Sequence, residues 1–205
     1  MIAMIMLVLM TLGSLALIRS VDTTNMIAGN LAFQQAATTA GDMGVEVAVS
    51  WLEANNTGTT LHANILAQGY SATRQDPAVG QSWDAYWNNV LVPAGQVMTV
   101  TRNASGAMQS YNVSSGSIAS GFSATQYTAG NSISYVIQRL CNATGDPVAV
   151  GVDCSVPQSA GSSGGSSKGA GVVALLFNSQ IYYRITSRVA GPRNAVSYVQ
   201  VIVSL

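Results

Sequence analysis

The side chains that could do covalent or coordination chemistry here are few, and their number and spacing limit what they can do. Cys141 and Cys154 are the only cysteines. In an oxidising compartment they would close a short loop, which loop entropy makes worth about 3 kcal/mol; the alternative is two buried free thiols. A metal site is not expected, because His62 is the sole histidine and no third thiol exists. A Ser-His-Asp triad would have to recruit that same His62, in a helix-like stretch with nothing near it in sequence to suggest a base. The eight carboxylates are scattered and suggest no acid/base pair. There is no glycine-rich phosphate loop, nucleophile elbow or zinc motif. Trp83, Tyr86 and Trp87 could stack on a sugar ring, but their spacing first suits the packing of a short helix. Asn55, Asn103, Asn112 and Asn142 head Asn-x-Ser/Thr triplets, which arise by chance in a chain this rich in Asn and Ser. No enzymatic activity and no cofactor are expected.

The chain of 205 residues has room for one ordinary domain plus a long helix. Charged residues make up 8% of it, far below the ~25% of an average soluble domain. Lys+Arg and Asp+Glu balance at 8 each, so there is no basic footprint for nucleic acid. Ser, Thr, Asn, Gln and Gly replace the missing charge. Such neutral polar surfaces are common in proteins that work outside the cytoplasm and pack against copies of themselves.

The element that must carry everything else is the N-terminal stretch. Residues 1–18 (MIAMIMLVLMTLGSLALI) hold no charge. Arg19 and Asp22 interrupt the apolar run without breaking the helical pattern. Phe33, Ala37, Ala40, Gly44, Val47 and Trp51 then line one helix face, with Gln35, Thr38, Thr39, Asp42, Glu46, Ser50 and Glu53 opposite. The first proline is Pro77, so one helix is predicted over residues 1–54, about 80 Å long at 1.5 Å per residue. Its first 18 residues span about 27 Å, close to the ~30 Å hydrocarbon core of a bilayer. They are read as a transmembrane or filament-core segment, and 19–54 as an amphipathic continuation. No basic stretch precedes the run, so either a leader has been removed or the start lies upstream; a cleaved signal peptide, with a weak site at Ser14-Leu15-Ala16, is the rival reading. Gly13 would serve close helix contact in lipid, and Gly29 marks where the helix should be weakest.

Residues 55–58 (NNTG) read as a stop. Short helices are predicted over 60–67 and 82–91, the second capped by Ser82 with Trp83, Trp87 and Val90 on one face. Strands follow at 97–101 and 108–113, flanking a hairpin turn at 103–106, and at 132–140. Residues 157–171 are a low-complexity Ser/Gly loop. Two strands close the chain. In 181–189, Ile181, Tyr183, Ile185 and Val189 alternate with Tyr182, Arg184, Thr186 and Arg188. The stretch 195–203 is apolar on both faces, so it should be central or helix-covered, with Gly191-Pro192-Arg193-Asn194 as the turn between. The fold class is α+β: a long helix laid across an antiparallel sheet, with a globular head over residues 55–205.

Residues 19–22 (RSVD) and 26–37 (MIAGNLAFQQAA) resemble the N-terminal signature of PilX-type minor pilins, and residues 182–186 and 191–200 resemble that group's closing strands. The resemblance implies a type IV pilin-like αβ-roll whose helix holds the subunit in the inner membrane, as a single pass, until it is extracted into an extracellular pilus fibre. It implies partners: other pilins through helix packing, and the pilus assembly machinery. Met4, Leu7, Leu9, Gly13, Ile18, Ile27, Gly29 and Phe33 would make the filament or membrane contacts. The loop from Cys141 to Cys154 would match the disulfide-bounded region of pilins. Many pilins carry a glutamate five residues into the mature chain; here residue 5 is Ile5, and the first glutamate is Glu46. The function implied is priming or decorating the fibre. A tip adhesin or aggregation module, and a major pilin forming the fibre bulk, are the alternatives.

Overall fold

The computed structural model describes residues 2–102, 105, 107–112, 131–156, 180–191 and 195–205. Helix α1 runs unbroken over Ile2–Asn55, through Gly13 and Gly29. Hydroxyls along it turn inward on its own carbonyls: Thr11 donates to Val8 O, Thr23 to Arg19 O and Thr38 to Gln34 O. That satisfies the hydroxyls within the helix without a partner from outside. The helix ends at the predicted stop. The Asn55 amide donates to Trp51 O at 2.8 Å, and Gly58 turns the chain with φ +65°.

Two 3-10 turns, Thr60–His62 and Leu66–Gln68, stand where a single short helix over 60–67 is predicted. Gly69 at φ +75° reverses the backbone, and Ile65 pairs with Tyr70. Burial of Leu61 and Tyr70, with the Tyr70 phenol donating to Leu61 O at 2.7 Å, outweighs local helix propensity there. Strand β1 (Tyr70–Ser71) follows, then α2 (Trp83–Tyr86), which continues as a π-helical turn over Trp87–Leu91. As predicted, Ser82 caps α2, its hydroxyl accepting from Ala85 N at 3.2 Å.

The remaining strands are β2 (Met98–Arg102), β3 (Met108–Asn112), β4 (Ser132–Arg139), β5 (Tyr182–Ala190) and β6 (Val196–Ser204). They pair antiparallel in the order β3-β2-β4-β5-β6, while β1 pairs parallel with β4 at Ile137 and Gln138, beyond the point where β2 leaves it. The predicted hairpin is present in the register Met98↔Asn112 to Arg102↔Met108. Its turn residues 103, 104 and 106, the Ser/Gly loop over 157–171 and the turn residues 192–194 lie outside the described residues.

Central β4 is buried on both faces, which makes the molecule three-layered. Ile133, Tyr135 and Ile137 face α1, and Val136 meets Tyr86, Trp87, Leu91 and Val97 on the other side. Val90, predicted to share the buried face of 82–91, is 41% exposed; the π turn rotates Leu91 into the core in its place. For β6 only one of the two expected settings holds. It is the edge strand rather than a central one, because the apolar residues of one face cover α1 while Ile202 on the other is 60% exposed.

The seat of α1 consists of Ala37, Ala40, Gly41, Gly44, Ala48 and Leu52. The predicted stripe is therefore rotated slightly, with Val47 and Trp51 half-buried at its flank. All seven predicted outward residues are exposed. Five of the six seat residues are Ala or Gly, so the helix backbone itself meets the sheet. A Cβ on Gly41 would stand 2.6 Å from Val199 Cγ2, and one on Gly44 would stand 2.9 Å from Ile133 Cγ2. Gly44→Leu should therefore lower stability by about 2–3 kcal/mol through overpacking. Gly29→Ala, where an added methyl meets nothing within 4 Å, should raise it by about 0.5–1 kcal/mol. Thermal melts of the full chain in detergent compare the two.

Candidate functional site: an unpartnered shaft and a disulfide-closed loop

The first half of α1 has no buried residue among the described residues. Every described residue from Ile2 to Ala32 is exposed, and the first buried residue is Ala37. The most apolar 18-residue window has a mean hydropathy of 2.2 with none of it buried, long and apolar enough to cross a membrane. Of the residues predicted to contact lipid or sibling helices, Met4, Leu7, Leu9, Ile18 and Ile27 stand exposed, and Gly13 and Gly29 face open space. Phe33 differs. Its ring is half-buried against Gly191, too close for a Cβ at that glycine, so it helps to seat the head. The physical reason is position: Phe33 lies one turn before the buried seat, on the same face.

At the far end of the head, Cys141 and Cys154 form a disulfide across an isolated antiparallel bridge. The Asn142 side chain braces the loop from inside, accepting from Asp153 N at 2.8 Å, and Asp146 accepts from Val148 N at 3.0 Å. The loop is held to the core by Arg139, a residue the sequence reading missed. Arg139 is fully buried and has no carboxylate partner among the described residues. Its Nε donates to Ala72 O at 3.0 Å, and its Nη2 to Ala143 O at 3.1 Å and Gly145 O at 3.0 Å. Carbonyl dipoles thus solvate the cation and fix the loop to β4 and the segment after β1. An arginine closing a strand rich in Ile, Val and Tyr, two residues before a cysteine, was the available signal.

On the face away from α1, two more strand arginines tie the segment around α2 to the sheet. Arg184 donates to Asp76 at 2.7 Å and to Gln75 O at 2.6 Å, and lies 5.5 Å from the centre of the Trp83 ring. Arg188 meets Asp84 at 3.1 Å, and the Tyr198 phenol donates to the same carboxylate oxygen. Burial alone would raise the Asp76 carboxyl, but hydrogen bonds and charge from Arg184 and Arg74 outweigh it and hold it below the usual carboxylate range. The Arg188 hydrogen bond, with smaller help from Tyr198, holds Asp84 low against a slight burial effect.

The other chemistry-bearing residues do not converge. His62 lines a cavity of about 370 Å³ with Arg139, Tyr183 and Asn55, and no Asp or Glu side chain lines it. No cluster of three metal-ligating side chains occurs among the described residues. Tyr86 and Trp87 are buried in the core behind β4, leaving Trp83 only partly open, so they form no stacking platform. Comparison with protein-family models, with curated proteins and with solved structures found no match.

Replacing both Cys141 and Cys154 with Ser should lower stability by about 3 kcal/mol, with the loss concentrated in loop 142–153 when amide hydrogen exchange is read residue by residue. Acid should act elsewhere. Asp76 and Asp84 have folded values below the unfolded one of ~3.9, so the unfolded chain binds more protons as pH falls through that window. Their contribution is intact above pH 4 and drains below it. Both carboxylates are partly exposed, so it amounts to no more than about 1 kcal/mol. Melting temperature should therefore drop below pH 4 in the native chain and drop less steeply in Asp76→Asn/Asp84→Asn.

Proposed function

We propose that this chain is a structural and assembly subunit: a type IV pilin-like protein, resembling the PilX group of minor pilins, held in a membrane by α1 before joining a fibre. The observation that carries the reading is the division of labour along α1. Among the described residues the head packs on residues 33–52 of the helix, which leaves some 46 Å of exposed, largely apolar helix at 1.5 Å per residue. Water is a poor environment for such a surface, whereas lipid tails or sibling helices satisfy it. The internal bonding of Thr11 and Ser14 fits both settings. The mechanism is mechanical: helix–helix contacts replace lipid contacts as the subunit leaves the bilayer, and the head rides outward on the shaft.

The disulfide-closed loop favours a second role for the same subunit. Val148 and Val150 are 75% and 106% exposed on a loop held rigid at both ends. Exposed valines on a braced loop suit adhesion or aggregation at the fibre surface.

Leu9→Arg tests the main reading. A charge at the centre of the span costs about 3 kcal/mol on insertion, so the carbonate-resistant membrane fraction should fall more than tenfold and fibres seen by electron microscopy should vanish with it. Fibres built at the normal level by an unretained variant would overturn the proposal. Val148→Ser/Val150→Ser should leave fibres intact and reduce cell aggregation if the second role holds.

A further inference from the structure

Arg139 carries a charge that the fold does not neutralise. It is fully buried and makes no ion pair among the described residues. Its Nε and Nη2 are turned to the carbonyls of Ala72, Ala143 and Gly145, while Nη1 is buried with no hydrogen-bond partner. A buried donor left in that condition destabilises the fold unless something accepts from it. None of the three carbonyl residues lines the cavity of about 370 Å³, whereas Arg139 does. The guanidinium therefore meets the cavity with its open nitrogen.

The rest of the wall suits an anion. Arg139 is its one Lys or Arg, and no carboxylate side chain faces it there. Tyr183, also in the wall, stands opposite Arg139 in the β4–β5 register, and its phenol makes no hydrogen bond among the described residues. Burial raises that phenol against a smaller opposing pull from the Arg139 charge, so it keeps its proton and donates. His62 and the amides of Asn56 and Gln180 add polar groups around them. Leu205 reaches the wall as well, but its backbone is paired with Ile181.

We propose that this cavity binds a small organic monocarboxylate bearing hydroxyl groups, the chemistry of a sugar acid. One carboxylate oxygen accepts from Arg139 Nη1 and the other from the Tyr183 phenol. A single buried cation matches a single negative charge, whereas phosphate or sulfate brings up to two. Side-chain amides, each with a donor and an acceptor, fit the hydroxyls of a sugar ring. The volume lies at the lower end of the ~300–1,000 Å³ usual for small-ligand sites, which suits one ring rather than a chain of them. This site does not depend on the assembly reading.

The test titrates the full chain in detergent with D-glucuronate, with neutral D-glucose and with inorganic phosphate, following the NMR signal of the Arg139 Nε–H. Glucuronate should bind with a Kd of about 1 mM, as expected for a ligand of its size, and the other two about tenfold more weakly. Arg139 also anchors the disulfide-closed loop, so it is left in place. Tyr183→Phe keeps the ring that meets Tyr70, removes only the hydroxyl, and should weaken glucuronate about tenfold. Asn56→Asp, at an exposed position, adds a negative charge at the mouth and should weaken it about threefold. Membrane retention should stay native in both variants. No saturable shift up to about 20 mM glucuronate, or binding that neither variant weakens, would overturn the site. Phosphate or glucose binding as tightly as glucuronate would overturn the class of ligand.

Discussion

Between Ala37 and Leu52 the helix presents backbone rather than long side chains to β4, β5 and β6, and much else depends on that close contact. With Gly41 and Gly44 at its centre, Val199, Ile133 and Ser187 can press directly on the helix. Short contacts of this kind gain dispersion and exclude water, but they tolerate no added volume. They also fix the helix by position along its axis, since the sheet approaches this closely at the buried residues Ala37 to Leu52. The head therefore grips one part of α1 and leaves the rest free, and the free part is what the proposed assembly role uses.

Behind the sheet the balance is different. Scarcity of charge, visible in composition, did not mean that the charges present were idle surface decoration. Arg184 and Arg188 project from the same face of β5 and reach Asp76 and Asp84 across the segment that carries α2. Arg139, on the other face of β4, is solvated by three carbonyls instead of a carboxylate. In each case the arginine fork holds irregular backbone to regular sheet, a task that short apolar side chains could not perform at that reach.

The parts of this fold that could be read from the residue pattern are those with a strong period. The 54-residue helix, its stop at residues 55–58, the β2–β3 hairpin and the alternation in β5 all follow from local spacing and turn chemistry. The region over 60–91 was harder, because its conformation is set by distant partners: Tyr70 is drawn into the sheet beside Ile137, and Trp87 is buried behind Val136. Apolar residues on both faces of β6 left two settings open, and only the pairing order with β5 decided that it is the edge. Among the candidate site residues, exposure along the shaft was legible from hydropathy. The role of Phe33 was not, since it depends on a close approach by Gly191, far along the chain.

The fourteen residues between the apolar run and Phe33 have a geometric outcome of their own. With residues 2–18 in hydrocarbon, residues 19–32 form a rigid stalk about 20 Å long, while the headgroup layer on one side of a bilayer is only roughly 5–8 Å thick. The head would stand clear of the lipid surface by more than a nanometre. At that height it lies beyond the Debye length, about 8 Å in physiological salt, and gains nothing from a basic underside. A head held at that distance would owe its position to the length of the stalk and not to attraction by lipid headgroups.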